Sequence, residues 1–264
     1  MTAPSLVARL RAAGCVFAEE EAALLEEAAA SPAHLEELVA RRVAGEPLEY
    51  VVGWVAFDGG RVAVEPGVFV PRQRTAYLVE LAAPLLTAGD TVLDLCCGTG
   101  ALGLALARRV PGLTVHAADL DPVAVACAAR NLASVGGTAV VGDLADPLPP
   151  ELRGTVAVLA ANVPYVPSDA VALMPPESRD HEPRGTVDGG ADGLDVLRRV
   201  AALAPAWLRP GGTVLSEVSV DQAPTAVELF AAAGLAAAVH HDEEREATIV
   251  SGRRTLRPTS STTV

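Results

Sequence analysis

Residues 91–103 read Thr-Val-Leu-Asp-Leu-Cys-Cys-Gly-Thr-Gly-Ala-Leu-Gly, or TVLDLCCGTGALG. An apolar strand, Thr91–Leu95, runs into a turn of small residues, Cys96–Gly100, and then into a helix start at Ala101. A strand that feeds a helix through a glycine turn aims backbone N–H groups at whatever lies above the turn. Gly98 and Gly100 allow the tight turn and let a ligand approach the backbone closely. The stretch therefore reads as a nucleotide-type cofactor site, with a ligand-free structural turn as the bland alternative.

Downstream, strand and helix patterns alternate. Thr114–Ala118 reads as a strand ending at Asp119, and Pro122–Ser134 as a helix with Asp121 at its N-cap and Pro122 at its first position. Strands follow at Thr138–Val141, Thr155–Ala161 and Thr213–Val218. Helices are expected at Asp192–Leu208, stopped by Pro210-Gly211-Gly212, and at Asp221–Ala233. Leu235–His240 and Ala247–Ser251 suit a closing antiparallel pair. Such alternation implies an α/β fold with a doubly wound, mostly parallel seven-stranded sheet. Ligands on such sheets sit at the carboxyl ends of the strands, which picks out Gly98 and Gly100, Asp119, Asp143 and Asn162.

Upstream, residues 1–44 are rich in Ala, Leu and Glu and read as a small helical domain. Its helices are Ser5–Ala13, Ala18–Ala30 and a third from Ser31-Pro32 to Val43. Residues 45–75 change character, with Asp58-Gly59-Gly60 between WVAF and RVAV marking a β-hairpin linker. Thr75 is placed to cap a helix over Ala76–Leu86. The main domain is then 76–253, and 254–264 is a polar tail expected to fray.

The chain has 264 residues, a net charge of −13 and only 3% aromatic residues. Phosphate-gripping proteins are normally basic, so stable nucleic-acid binding is not expected. Cys15, Cys96, Cys97 and Cys127 have no C-x-x-C spacing and no histidine cluster supports them, so free thiols and no metal are expected. Neither a signal peptide nor a membrane span is legible, which makes the cytoplasm the expected location.

Gly98, Gly100 and Gly103 satisfy G-x-G-x-x-G with Asp119 about 20 residues on, so the turn fits a dinucleotide as well as S-adenosyl-L-methionine. Asp119 can accept both ribose hydroxyls. Asp143 can accept from an adenine amino group while Leu144 packs on the ring; an ordinary loop Asp is the alternative. Asn162-Val163-Pro164-Tyr165 decides between the cofactors. The Asn162 side-chain oxygen and the Val163 carbonyl can accept the two protons of a planar NH2 group. Pro164 stiffens the loop and Tyr165 offers a flat face for stacking. An N-methyltransferase needs that arrangement; a dehydrogenase does not. No strong general base is evident near it.

These segments resemble the release-factor glutamine N5-methyltransferases, within the class I S-adenosylmethionine-dependent methyltransferases. The resemblance spans about residues 35–253 and rests on GEPLEYVVGWVAF, GVFVPRQRT, VLDLCCGTGALG, ANVPYVPS, HEPRGTVDGGADGLD and LRPGGTVLSEVSVDQ. It implies that Asp94, Cys96, Cys97, Gly98, Thr99 and Gly100 hold the methionine and ribose part of the cofactor. Asp119 would take the ribose, Asp143 and Leu144 the adenine side, and Asn162 to Tyr165 the acceptor glutamine amide, with Asn162 also counted among the cofactor-binding residues. The partner implied is a peptide chain release factor, docked by the N-terminal helical domain. Arg72 is expected to shape the site and Glu217 to be a structural acid beside it. Departures are Cys96, where the family has glycine and a cysteine fits if its φ is negative; Val163, for the first proline of N-P-P-Y; and Pro71-Arg72-Gln73-Arg74-Thr75-Ala76, which lacks both acids of P-R-P-E-T-E. A nucleic-acid amino-group methyltransferase, or a paralogue for another protein glutamine, remains an alternative.

Overall fold

A computed structural model describes residues 5–255; beyond Thr255, the tail expected from residue 254 lies outside the described residues. The chain opens with α1 (Leu6–Ala12), α2 (Ala18–Ala28) and α3 (Pro32–Val43). Ser5 and Ser31 cap the first and third of these, their hydroxyls accepting from the N–H groups of Ala8 and His34. The three helices bury Leu10, Leu25, Leu38 and Val39 in a small core of their own. Beside it Arg42 and Glu21 form a buried ion pair, Nε to Oε2 2.7 Å.

The segment after Gly45 differs from the expected simple hairpin. Leu48–Val52 forms a short helix, α4, closed by Gly53 at φ 81°. Val51 joins the N-terminal core, and the Tyr50 hydroxyl donates to the Val68 carbonyl at 2.7 Å. Burial of these side chains overrides the strand preference of a Tyr-Val-Val run. The hairpin itself follows as β1 (Trp54–Phe57) and β2 (Gly60–Ala63). The 3-10 turn Gln73–Thr75 leads into α5 (Ala76–Ala82). Thr75 does not cap it; its hydroxyl points instead to Glu217.

The main domain contains β3 (Thr91–Leu95), α6 (Ala101–Arg109), β4 (Thr114–Asp119), α7 (Pro122–Ala133), β5 (Thr138–Val141) and β6 (Val156–Ala161). It continues with α8 (Pro176–His181), α9 (Asp195–Trp207), β7 (Leu208–Glu217), α10 (Ala223–Ala232), β8 (Leu235–Asp242) and β9 (Ala247–Arg254). Helix α9 stops before Pro210-Gly211-Gly212, and β7 absorbs that tripeptide as an irregularity opposite Val156–Val158. A Cβ on Gly212 would lie 2.6 Å from the Val156 carbonyl, so only glycine lets the strands close up there.

Strands β3 to β9 form one sheet in the order β5-β4-β3-β6-β7-β9-β8. The pairs up to β6–β7 are parallel; β9 runs antiparallel to both β7 and β8. Apolar clusters cover both faces, one around Leu78, Leu104 and Leu106, the other around Leu159, Trp207 and Phe230. The chain reverses direction across the sheet between β3 and β6, the switch point at which such sheets bind ligands. Register sets the site. Leu95 pairs with Ala118 and Ala161, and Ala161 with Ser216. Cys96, Asp119, Asn162 and Glu217 therefore stand in one row at the carboxyl edge.

Candidate active site

A cavity of about 260 Å³ opens above that row. Of the residues expected to bind cofactor, Asp94, Cys96, Cys97, Gly98, Thr99, Asp119, Asp143, Leu144 and Asn162 all line it, as does Pro164. Gly100 does not. It sits at the α6 N-cap with φ 73°, and a Cβ there would lie 3.1 Å from Ala128, so its role is the approach of α7. Val163 is buried, and Tyr165 stands behind the wall rather than in it.

The glycine turn and the acids are tied together. Gly98 N–H donates to Asp119 Oδ2 at 2.8 Å and Asp121 N–H to Asp119 Oδ1 at 3.0 Å. A carboxylate has about four lone-pair sites, so Asp119 keeps capacity for two more donors. Asp121 caps α7, its Oδ1 accepting from Val123 N–H at 2.8 Å. Asp94 is 1% exposed and accepts from Gly103 N–H at 2.9 Å. Burial pushes the Asp94 carboxyl up to about 7, and the charge of Asp119 adds to the shift. Gly103 is held to glycine by packing, since a Cβ would meet Val115 at 2.7 Å.

Among the described residues, the buried side-chain atoms without a hydrogen-bond partner are Thr99 Oγ1, Asp143 Oδ1 and Asn162 Oδ1. Each belongs to a residue in the cavity wall. Buried polar atoms are nearly always paired, so three orphans around one cavity mark where a ligand's polar groups belong. The other oxygen of Asp143 accepts from Arg199 Nη2 at 2.6 Å.

Cys96 departs from expectation. Its φ is 55°, in the left-handed region, so it does not relieve the glycine conformation but adopts it under strain. Leu144 is left-handed too, at φ 49°. Two strained residues flank the same cavity.

The loop from Asn162 to Tyr165 is braced by the run from Val187 to Leu194. Val166 N–H donates to Val187 O, and Gly189 N–H to Val166 O at 2.8 Å. A Cβ on Gly189 would sit 2.6 Å from the Pro164 carbonyl, and one on Gly193 2.2 Å from the Tyr165 carbonyl. Gln222 Nε2 donates to both Tyr165 O and Asp192 O, at 2.8 and 2.9 Å. Arg72 reaches Glu182 at 2.6 Å, while Glu182 also takes Val70 N–H. That pair holds the segment whose Pro183, Gly185 and Thr186 line the cavity. Glu217, 2% exposed, accepts from Arg74 Nε, Thr75 Oγ1 and Tyr165 Oη. Sequence reasoning gave no role to Arg199, Gln222 or Glu182, although Glu182 and Gln222 lie within HEPRGTVDGGADGLD and LRPGGTVLSEVSVDQ, which carry the resemblance. For Arg199 the local signal was a pair of arginines, Arg198-Arg199, in an otherwise apolar helix.

Residues 92–177 match the methyltransferase domain family. The chain is 40% identical over 200 residues to a release factor glutamine methyltransferase of Mycolicibacterium smegmatis, covering 75% of this chain and 70% of the relative. The chain belongs to the release factor glutamine methyltransferase family. It is also 36% identical, over 74% of its length and 69% of the relative's, to a 4-amino-L-phenylalanine/4-methylamino-L-phenylalanine methyltransferase of Streptomyces pristinaespiralis. A solved methyltransferase of Pyrococcus furiosus shares the fold with a TM-score of 0.57 at 16% identity, covering 74% of this chain and 89% of that one. This family member is an S-adenosyl-L-methionine-dependent methyltransferase.

Two outcomes are expected of the site's own strain. Cys96→Gly removes the left-handed penalty of about 1–2 kcal/mol, less the flexibility glycine adds to the unfolded chain, leaving a gain of about 0.5–1 kcal/mol. Cys96→Ala keeps the penalty and gains nothing; urea melts of the two variants check this. Asp94, raised from 3.8 to about 7, binds a proton more readily folded than unfolded. The ligand-free protein therefore loses stability as pH climbs from about 4 to about 7, by up to about 4 kcal/mol. Asp94→Asn should flatten that slope in melts at pH 5 and pH 8.

Proposed function

We propose that this protein methylates the side-chain amide nitrogen of a protein glutamine, the Gly-Gly-Gln glutamine of a peptide chain release factor. The observation that carries the reading is Asn162 Oδ1: buried, without a partner, and in the cavity wall one register step past the Leu95–Ala161 pair. An acceptor oxygen held there without its own donor fits one proton of an incoming NH2 group. The Val163 carbonyl is the natural second acceptor.

The cofactor reading has matching support. Asp143 Oδ1 is free to accept an adenine amino proton, Asp119 has spare lone pairs for ribose hydroxyls, and Asp94 offers a buried carboxylate to a cation. Cys96, Cys97, Gly98 and Thr99 form the floor, and Leu144 an apolar wall. When bound, S-adenosyl-L-methionine supplies an electrophilic methyl on a positively charged sulfur. An amide nitrogen is a weak nucleophile because its lone pair is delocalised. Asn162 and Val163 would hold both N–H bonds so that the lone pair faces the methyl, a gain in orientation and electrostatics rather than in base strength. Tyr165 does not serve as a base: burial and the neighbouring Glu217 charge push its phenol up to about 12.

Residues 1–44, extended by α4, would dock the release factor, and the setting would be the cytoplasm. The net charge of −13 argues against a nucleic-acid acceptor. The S. pristinaespiralis relative favours a second reading, since an arylamine also presents a planar NH2 to the same two acceptors.

Purified release factor, incubated with enzyme and S-adenosyl-L-methionine, should gain one methyl on the Gly-Gly-Gln glutamine by tandem mass spectrometry. Asn162→Ala should lower kcat by about 10²–10³-fold while leaving cofactor affinity in place. Near-normal turnover in that variant would sink the mechanism, and methyl transfer to 4-amino-L-phenylalanine alone would select the second reading.

A further inference from the structure

We propose that Arg74 is a positioning residue for methyl transfer: with Glu217 it clamps the phenol of Tyr165 and thereby fixes the loop that carries Asn162. The inference rests on the acceptor reading above for its role in turnover, though not for the clamp itself.

Tyr165 is gripped at both ends. Its backbone carbonyl accepts from Gln222 at 2.8 Å. Its hydroxyl donates to Glu217 Oε1 at 2.9 Å and accepts from Arg74 Nη2 at 2.7 Å. Arg74 Nε donates to the same Glu217 oxygen at 2.8 Å, and Thr75 Oγ1 to its other oxygen. A carboxylate 2% exposed is tolerated because three donors satisfy it, one of them the cation Arg74. Hydrogen bonds fixed at the tip and at the backbone leave the ring one orientation.

The bracing has a local reason. Within Asn162-Val163-Pro164-Tyr165 only Pro164 restricts its own φ. Asn162 has no partner at Oδ1, so nothing there anchors the loop. Beside the buried Val163, anchorage comes from Tyr165 and from the Gly189 and Gly193 backbone behind it. Arg74 comes from the same turn as Pro71 and Thr75, which line the cavity. One turn thus contacts the cofactor side through Pro71 and Thr75 and the acceptor side through Arg74. Arg74 is the replaceable member of the clamp, with its side chain 43% exposed, whereas Glu217 is embedded.

A double-mutant cycle tests this on the full chain with bound cofactor and release factor as acceptor. Arg74→Ala and Tyr165→Phe should each lower kcat about tenfold, with cofactor Kd and acceptor KM within about twofold. The double variant should be no slower than the slower single variant, because both break one clamp. Arg74→Lys should recover part of the loss. A merely structural arginine would change stability without this kcat-specific coupling. The second readout needs no acceptor. The tyrosines are Tyr50, Tyr77 and Tyr165, so ring resonances of ¹³C-tyrosine protein are assigned with Tyr165→Phe. Tyr165 should give one sharp ring environment in the wild type and a shifted, broadened one in Arg74→Ala. Wild-type kcat in Arg74→Ala, losses that multiply in the double variant, or an unchanged Tyr165 resonance would each overturn the proposal. Failure of wild-type enzyme to methylate release factor would defeat the acceptor reading alone, and the resonance comparison then decides the clamp.

Discussion

Strand register is the constraint on which this site depends. Leu95 lies opposite Ala118 and Ala161, and Ala161 opposite Ser216. The next residue on each strand is the one with chemistry: Cys96, Asp119, Asn162, Glu217. Side chains alternate along a strand, so a slip of one residue would exchange these groups for buried apolar ones. Strand β6 is buried on both faces from Val156 to Ala161, which fixes that register by packing rather than by any contact in the site. The geometry of this row is inherited from a hydrophobic decision.

What the register cannot do is hold the loops above the strands. That task falls to buried carboxylates met by arginines from one turn. Arg72 binds Glu182, and Arg74 binds Glu217. Glu182 sits next to the segment over the cavity and Glu217 next to the Asn162–Tyr165 loop. Each arginine is the cation for its buried carboxylate; without Arg74, Glu217 would keep its donors Thr75 and Tyr165 but lose its counter-charge. The long-range motifs of the sequence, the V-P-R turn, the E-P-R run and the strand ending in Glu217, are therefore parts of one assembly. The glycines of Asp188-Gly189-Gly190 and Gly193 belong to it as well, because their missing Cβ atoms let two loops share backbone hydrogen bonds.

This explains what was legible in the chain and what was not. The strand–turn–helix at Thr91–Gly103 and the Asp121-Pro122 cap are local features, set by propensity and by hydrogen bonds within a few residues. They read directly. The α4 helix did not, because Tyr50 and Val51 favour a strand until the N-terminal core and the Val68 carbonyl claim them. Nor did the roles of Arg199 and Gln222, whose partners lie far along the chain: Asp143 for the one, Tyr165 and Asp192 for the other. Thr75 misled for the same reason. Its hydroxyl could have capped α5, and the buried Glu217 outcompeted the helix for it. Cys96 was legible as an anomaly, yet its sign was not. A backbone angle is chosen by the turn, and the turn kept the left-handed conformation.

The unfavourable features of the fold converge on one place. Cys96 and Leu144 are left-handed, Asp94 is a buried acid whose charged form is penalised, and Thr99, Asp143 and Asn162 leave polar atoms unpaired. Each costs stability in the ligand-free protein, and each is tolerable because the two apolar clusters on the sheet supply a surplus. The features also share an electrical sense. Asp94, Asp119 and Asp143 line a cavity whose lining cation among the described residues, Arg199, is already committed to Asp143. A cationic ligand would relieve the Asp94 penalty and supply partners for the orphaned Thr99 and Asp143 oxygens, leaving Asn162 Oδ1 for the acceptor. Binding would therefore tighten the protein through the same groups that strain it when empty, since a ligand that favours the folded state stabilises it by mass action. Inside the cavity, the acidity of Asp94, Asp119 and Asp143 thus argues for a sulfonium.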